Sequence, residues 1–258
     1  MLAFDDVGAG APLVLLHGTT SSRAVWDPIL PALIAHRRVI RADLPCHGAS
    51  APTSFTPPDW APEVVQLLDT LGLDQVPIAG HSAGGWTALE VAKLGRASAV
   101  LSLTPAGLWR QRSPRTTNAG LMLNWLLSRH AFGLSRRALR FGAVRAVALR
   151  QVSARGHEVP AEVAIAAARI AGTTDSFRRH FAQTRRTRFT GGDAIASTVP
   201  VRVVWGDVDH IAKASTSRHR DELPPHATVE TWDRCGHMVM WDQPERVVAA
   251  TLAISSQR

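Results

Sequence analysis

The 258-residue sequence contains no tyrosine, only two cysteines, Cys46 and Cys235, and only two lysines among its 29 basic residues. Two cysteines cannot form the disulfide framework that stabilises small secreted domains, so we expect both to be free thiols. No apolar run reaches the ~20 residues that a helix needs to cross a bilayer. The missing tyrosine removes one side chain that can donate a hydrogen bond to an oxyanion. These absences argue against a disulfide-stapled scaffold and against stable insertion in a membrane.

The residues that are present have the composition of a soluble globular protein. Hydrophobic residues make up 45% of the chain and charged residues 19%, which excludes an intrinsically disordered or collagen-like chain. Residues 1–6 have neither the basic start nor the apolar core of a signal peptide. We therefore expect a cytoplasmic protein that buries a large core without needing a structural metal or disulfide.

Positive charge is concentrated in one part of the chain. Between Trp109 and Thr190 there are 16 arginines and only three acids, Glu158, Glu162 and Asp175. Three interpretations stay open: a solvated arginine-rich surface, a dock for an anionic or carrier-bound small-molecule substrate, and binding to a nucleic acid or a membrane. No recognition motif or aromatic platform accompanies the charge, so we expect no nucleic-acid partner.

Short apolar runs alternate with amphipathic stretches along most of the chain. This alternation predicts an α/β fold, with a mostly parallel central sheet flanked by helices on both faces. The predicted strands are residues 12–16, 38–43, 75–80, 97–103, 201–205 and 228–232. The predicted helices of this part are residues 24–35, 59–71, 83–94 and 244–254.

Between residues 107 and 192 the strand signals disappear and helical periodicity takes over. We therefore expect an all-helical insert at 107–192 within a core formed by residues 1–106 and 193–258. The predicted helices of the insert are residues 121–127, 135–151, 161–170 and 176–184.

The segment Gly80-His81-Ser82-Ala83-Gly84 lies between a predicted strand and a predicted helix. A serine on such a turn is held in a strained backbone, and the flanking glycines are needed because neighbouring atoms crowd it. The helix that follows favours negative charge at its N-terminus. Ser82 is therefore the candidate nucleophile.

A serine hydroxyl is a weak nucleophile, so it needs a base and the base needs an orienting carboxylate. Asp209 follows the strand that ends at Trp205, and His237 follows the next strand. The order serine, aspartate, histidine is the order expected for a hydrolase with a nucleophile elbow. In a parallel sheet, all three side chains emerge at the carboxyl edge.

An oxyanion intermediate needs two backbone N–H donors. One candidate is the amide of Ala83, the residue after the candidate nucleophile. The other is the amide of Thr19, in the loop that follows the first strong strand.

Several motifs appear together and in order along the chain. The chain resembles the α/β-hydrolase superfamily, in the branch whose helical cap is inserted after the sixth strand, and the resemblance covers nearly everything outside the insert. The motifs are His17-Gly18 with Trp26, Asp43-Leu44-Pro45-Cys46-His47-Gly48-Ala49-Ser50, the serine turn, Trp205-Gly206-x-x-Asp209, and Gly236-His237 with Gln243-Pro244-Glu245.

Two departures from the family pattern affect the expected structure. The family usually has two strands before the first strong one, and residues 1–11 leave room for only one. Cys46 stands where the family usually has glycine. Family members that open epoxides or cleave carbon–halogen bonds use aspartate as the nucleophile, so Ser82 argues against both activities.

Other residues near these motifs have competing or weaker claims. Asp207 competes with Asp209 as the acid, and the family spacing favours Asp209. We expect His81, Trp109 and Trp125 to line the substrate pocket. The histidines of the insert lack the spacing of metal ligands, so we expect no metal and no cofactor.

The sequence thus predicts a serine hydrolase that cleaves a carboxylic ester, lactone or thioester through an acyl-enzyme. Carbon–carbon bond hydrolysis or perhydrolysis by the same triad remains an alternative, as does a non-hydrolytic cyclase or lyase on the same fold. The oligomeric state is not predicted.

Overall fold

The computed structural model describes residues 1–255, except for the side chain of Thr116. Within that range the strands are β1 (Phe4–Val7), β2 (Pro12–Leu16), β3 (Arg38–Ala42), β4 (Val76–His81), β5 (Ala97–Leu103), β6 (Val201–Gly206) and β7 (Thr228–Trp232). They form one sheet in the order β1-β3-β2-β4-β5-β6-β7. β1 runs antiparallel to β3, and every other neighbouring pair is parallel.

The sheet is covered on both faces because its strands are apolar on both faces. Along β2, Val14 and Leu16 belong to one buried cluster, while Leu13 and Leu15 belong to the other. The helices of the core are α1 (Leu30–Ile34), α2 (Pro57–Thr70), α3 (Ala83–Lys93), α9 (Ala214–Ser217), α10 (Val239–Asp242) and α11 (Pro244–Ile254). Helices α2 and α3 pack on the first face, and α1 and α11 pack on the second.

All regular secondary structure between β5 and β6 is helical. Its α-helices are α4 (Arg115–His130), α5 (Phe132–Ala138), α6 (Gly142–Ala148), α7 (Ala161–Thr173) and α8 (Phe177–Thr184). Within the described residues, β1 is the one strand that precedes β2. The insertion therefore follows the fifth strand of this chain, the sixth in the family's usual count. No described helix is both long and apolar enough to cross a membrane.

Two of the predicted helices are interrupted. The stretch 24–35 contains a 3₁₀ turn at Arg23–Trp26 and then α1, because Pro28 lies between them and cannot donate an intrahelical hydrogen bond. The stretch 135–151 is divided between α5 and α6, since Phe141 adopts an extended backbone with φ −90° and ψ 127°. The predicted strands agree with β2 to β7 to within one residue at each end.

Candidate active site

Ser82 lies in the sharp turn between β4 and α3. Its φ of 53° and ψ of −116° place it in a strained, left-handed region. A Cβ added to Gly80 would lie 2.2 Å from the carbonyl oxygen of Gly84, and one added to Gly84 would lie 2.4 Å from the last carbonyl oxygen of β2. Both glycines are therefore required by close backbone approach, and the turn presents Ser82 at the carboxyl edge of the sheet.

Asp209 and His237 form a buried pair at the same edge. The Nδ1 atom of His237 lies 2.8 Å from Asp209 Oδ2. The other oxygen, Oδ1, accepts hydrogen bonds from the Ile211 and Ala212 N–H groups at 2.7 and 2.8 Å. Burial raises the pKa of Asp209, but the charge of His237 and these hydrogen bonds outweigh it and hold the pKa below its usual value. The carboxylate is thus charged and fixed in orientation.

The competing acid, Asp207, has a different partner. It is exposed, and its Oδ1 accepts a hydrogen bond from the Cys235 N–H at 3.0 Å. Its contact is with the backbone before His237, whereas Asp209 contacts the imidazole itself. The geometry therefore favours Asp209 over Asp207 as the group that orients the ring.

Ser82 and His237 line one cavity. Among the described residues their side chains do not form a direct hydrogen bond, a contact that commonly tightens when substrate binds. Two hydrogen bonds fix the backbone of His237. Its carbonyl oxygen accepts one from His81 Nε2 at 3.0 Å and one from the Thr104 hydroxyl at 3.1 Å. The imidazole edge that carries Nε2 is thus the one left for Ser82.

A buried carboxylate, Asp242, fixes the loop before His237. It accepts hydrogen bonds from the Gly236 N–H at 2.7 Å, the Ser153 hydroxyl at 2.6 Å and the Ala154 N–H at 2.9 Å. Asp242 therefore ties the histidine loop to the helical segment. Sequence reasoning did not identify this residue, because no motif or spacing links it to residues 153 and 154.

The amides of Thr19 and Ala83, predicted as oxyanion donors, lie in the loop after β2 and at the start of α3. The Ala83 N–H is the first of α3 and so has no acceptor one turn earlier. The Thr19 N–H makes no backbone hydrogen bond within the described chain. Thr19 also lines the cavity together with Ser82. Thr19 thus reaches the cavity, whereas Ala83 is buried directly behind Ser82 and does not line it.

The side chain of Thr19 is held by a histidine from the helical segment, His180. The Thr19 hydroxyl lies 3.1 Å from His180 Nε2, and the Nδ1 of that ring lies 2.7 Å from the Phe55 carbonyl oxygen. The ring stacks on Trp60 with 4.9 Å between centroids. Burial, together with the neighbouring His47, lowers the pKa of His180 to about 3, so the ring is neutral near pH 7. Nothing in the sequence pattern separates His180 from a surface histidine.

The cavity above Ser82 has a volume of about 670 Å³ and is lined mainly by apolar side chains of the core and the helical segment. His81 and Trp109 are among the lining residues. Trp125 is not part of the lining. Its ring packs on Phe177 and its Nε1 donates to the Thr174 carbonyl oxygen at 3.2 Å, so it belongs to the interior of the helical segment.

The two cysteines are free and buried. Burial raises the pKa of each thiol to about 12, which leaves both uncharged. Cys46 has a φ of 63°, so the glycine position of the family motif keeps its left-handed backbone even with a side chain. Among residues 1–255, no group of three or more His, Cys, Asp or Glu side chains is arranged to hold a metal ion.

Comparisons with known proteins agree with the fold. The sequence profile of the alpha/beta hydrolase family matches residues 13–250. The dihydrolipoyllysine-residue acetyltransferase component of the acetoin cleaving system of Pseudomonas putida is 30% identical over 95% of this chain and 63% of its own length. The chain thus spans less than two thirds of that relative.

One further relative and one solved structure match over most of both chains. Epoxide hydrolase EphH of Mycobacterium tuberculosis is 30% identical over 72% of this chain and 89% of its own length. The solved structure of the enol-lactonase from Burkholderia xenovorans LB400 superposes with a TM-score of 0.76 at 21% identity. That superposition covers 99% of this chain and 96% of the lactonase, and at this identity it speaks for the fold alone.

Proposed function

The chain belongs to the alpha/beta hydrolase family, and from that premise we propose that it is a serine hydrolase acting on a carboxylic ester, lactone or thioester. One observation carries the proposal: a serine on a strained strand-to-helix turn shares a cavity with a buried histidine–aspartate pair. These are the nucleophile, base and orienting acid that acyl transfer requires.

The proposed reaction has two halves. Ser82 Oγ attacks the substrate carbonyl carbon while His237 Nε2 takes the hydroxyl proton, and Asp209 stabilises the imidazolium that forms. The Thr19 and Ala83 N–H groups stabilise the negative oxygen. His237 then gives its proton to the departing alcohol or thiol, which leaves an acyl ester on Ser82. Water, deprotonated by His237, attacks this ester and releases the acid and the free serine.

The cavity lining favours a substrate with a mainly apolar acyl or alcohol group. Of the 16 described arginines in the insert, only Arg185 lines the cavity. The cavity lining also includes the acids Glu162 and Asp27. We propose that residues 107–192 form a cap whose inner side binds this apolar group. A carrier-bound thioester stays among the candidate substrates, because the Pseudomonas relative is named for acyl transfer on a dihydrolipoyl-lysine residue.

A substrate panel tests the proposal. Wild type and Ser82→Ala are assayed on p-nitrophenyl esters of increasing chain length, a lactone, an acyl thioester, an epoxide and a vinylogous diketo acid. We expect hydrolysis of at least one acyl substrate, and a loss of about 10⁴-fold or more in the folded variant. Turnover of the diketo acid alone would show that the same triad catalyses carbon–carbon bond hydrolysis instead of acyl transfer from an ester, lactone or thioester. Near-normal turnover by Ser82→Ala would refute the assignment of the nucleophile.

A further inference from the structure

Large apolar side chains are exposed on the helices beside the cavity. We call this surface the apolar helix face. Leu134 and Phe141 are 74% and 67% exposed, which is far more than a buried or half-buried packing role would allow. Its members are Leu123, Leu126 and Leu127 on α4, Leu134 on α5, Phe141 directly before α6, and Val144 and Val147 on α6. Large apolar side chains exposed together on one segment are characteristic of a binding surface for a protein or a membrane.

Part of the apolar helix face borders the cavity above Ser82. Leu123 and Leu127 on α4 and Val144 on α6 are exposed and also line the cavity. Leu134 and Phe141 do not line it. The face therefore contains a rim, which a substrate crosses, and an outer part with no role inside the cavity.

The same helices contain arginines and no acidic residue of their own, although Arg129 on α4 pairs with Asp175 beyond them. The sequence has no Asp or Glu between Glu90 and Glu158. Arg136, Arg137 and Arg140 are exposed, and in the described chain none of the three forms an ion pair. Exposed apolar side chains and arginines thus occur together on one helical segment that borders the cavity, as on helices that lie in a membrane interface.

We propose that the apolar helix face docks on an anionic lipid surface, with the cavity opening towards the lipid. Such a surface supplies both partners that the face lacks, since its phosphates pair with arginines and its acyl region accepts leucine and phenylalanine. A second copy of this chain would bring like charges together. The docking itself does not depend on the proposed hydrolase function. Only the identity of the substrate does, since it would be an ester that enters the cavity from the docked surface.

Vesicle binding tests the docking without catalysis, because it is measured on the Ser82→Ala protein. The probes are vesicles of phosphatidylcholine alone and of equal phosphatidylcholine and phosphatidylglycerol, followed by co-sedimentation at low and high salt. We expect binding to the anionic vesicles alone, weakened by salt. Removing two arginines with Arg136→Gln and Arg137→Gln should weaken partitioning about 25-fold, at about fivefold for each charge near the surface.

The apolar contribution is tested with Leu134→Asp and Phe141→Asp together. Leu94→Asp is the matched control, since Leu94 is 53% exposed at the end of α3 in the core. We expect the double variant to lose at least about tenfold in partitioning, while the control binds as the parent does. In a background that keeps Ser82, the double variant should hydrolyse a soluble short-chain ester at the normal rate.

Three results would overturn the docking proposal. The first is equal binding, or none, to the two vesicle types. The second is a concentration-dependent dimer that the Leu134 and Phe141 changes abolish, which would make the face a contact between copies. The third is an equal loss in the Leu94 control. A failure of hydrolysis with intact vesicle binding would refute the proposed function and leave the docking standing.

Discussion

Changing Asp209 to asparagine removes the negative charge beside His237 with the smallest possible change in shape. The Oδ1 oxygen of Asp209 accepts two backbone N–H groups, from Ile211 and Ala212. An asparagine must keep its carbonyl oxygen at that position, because an amide NH₂ group cannot accept from N–H donors. Its NH₂ group therefore faces His237 Nδ1, where the carboxylate oxygen lay at 2.8 Å.

The size of the effect follows from this orientation. An NH₂ donor at Nδ1 makes that nitrogen the acceptor and leaves the proton on Nε2, so the imidazole cannot take a proton from Ser82. Holding the wrong tautomer in an equivalent triad costs about 10⁴ in kcat, or about 5.5 kcal/mol of transition-state stabilisation. The Ile211 and Ala212 hydrogen bonds survive, so we expect the variant to fold.

The assay is steady-state hydrolysis of the best ester, with circular dichroism to confirm folding. Asp207→Asn is the matched control, since it weakens only the bond to the Cys235 N–H. A single hydrogen bond of that kind accounts for a loss of no more than about tenfold. A folded Asp209→Asn protein with more than a tenth of normal kcat, or a larger loss in the Asp207 variant, would refute the reasoning.

Two further predictions follow from the buried histidines and from the contact between Thr19 and His180. Burial lowers the pKa values of His47, His81 and His180 to about 4, 3 and 3, so the unfolded chain binds more protons below about pH 6.5, and stability falls as pH drops towards these values. At pH 5 this lowers the free energy of unfolding by about 2 kcal/mol for each ring. Thermal melts from pH 8 to pH 5 should show a steep loss of stability, and His47→Gln should reduce that loss. A melting temperature that does not change with pH would contradict the lowered pKa values. Thr19→Val removes the hydroxyl bonded to His180 and should lower kcat about three- to tenfold with little change in KM. Ser176→Ala, which removes another hydrogen bond between the helical segment and the core, is its control, and equal effects of the two changes would deny Thr19 a specific role.

The core of the fold could be predicted because its signals are local. The turn at Ser82 is encoded by Gly80 and Gly84, whose positions allow no Cβ, and by the apolar strand before them. Residues 228–232 and 244–254 were predicted as a strand and a helix, and they match β7 and α11. In these places propensity, patterning and turn chemistry all indicate the same structure.

The helical segment could be predicted only in outline. Periodicity indicates helices, but it does not show where a helix breaks, as at Phe141, or which side faces the core. Trp125 was predicted to line the pocket, yet it packs on Phe177 inside the segment. His180 reaches Thr19 across 161 residues of sequence, and no local pattern reports a contact of that range. The exposure of Leu134 and Phe141 likewise depends on tertiary packing.

The central claim is that Ser82 is a nucleophile activated by His237 and Asp209. Its most direct test is labelling with a fluorophosphonate, followed by intact-mass analysis, peptide mapping and an ester assay on the same sample. The account predicts one adduct per chain, located on Ser82, with hydrolysis lost in proportion to labelling. It also predicts no adduct in Ser82→Ala and much slower labelling in a folded His237→Ala protein. An adduct on another residue, or full hydrolysis after complete labelling of Ser82, would contradict the claim.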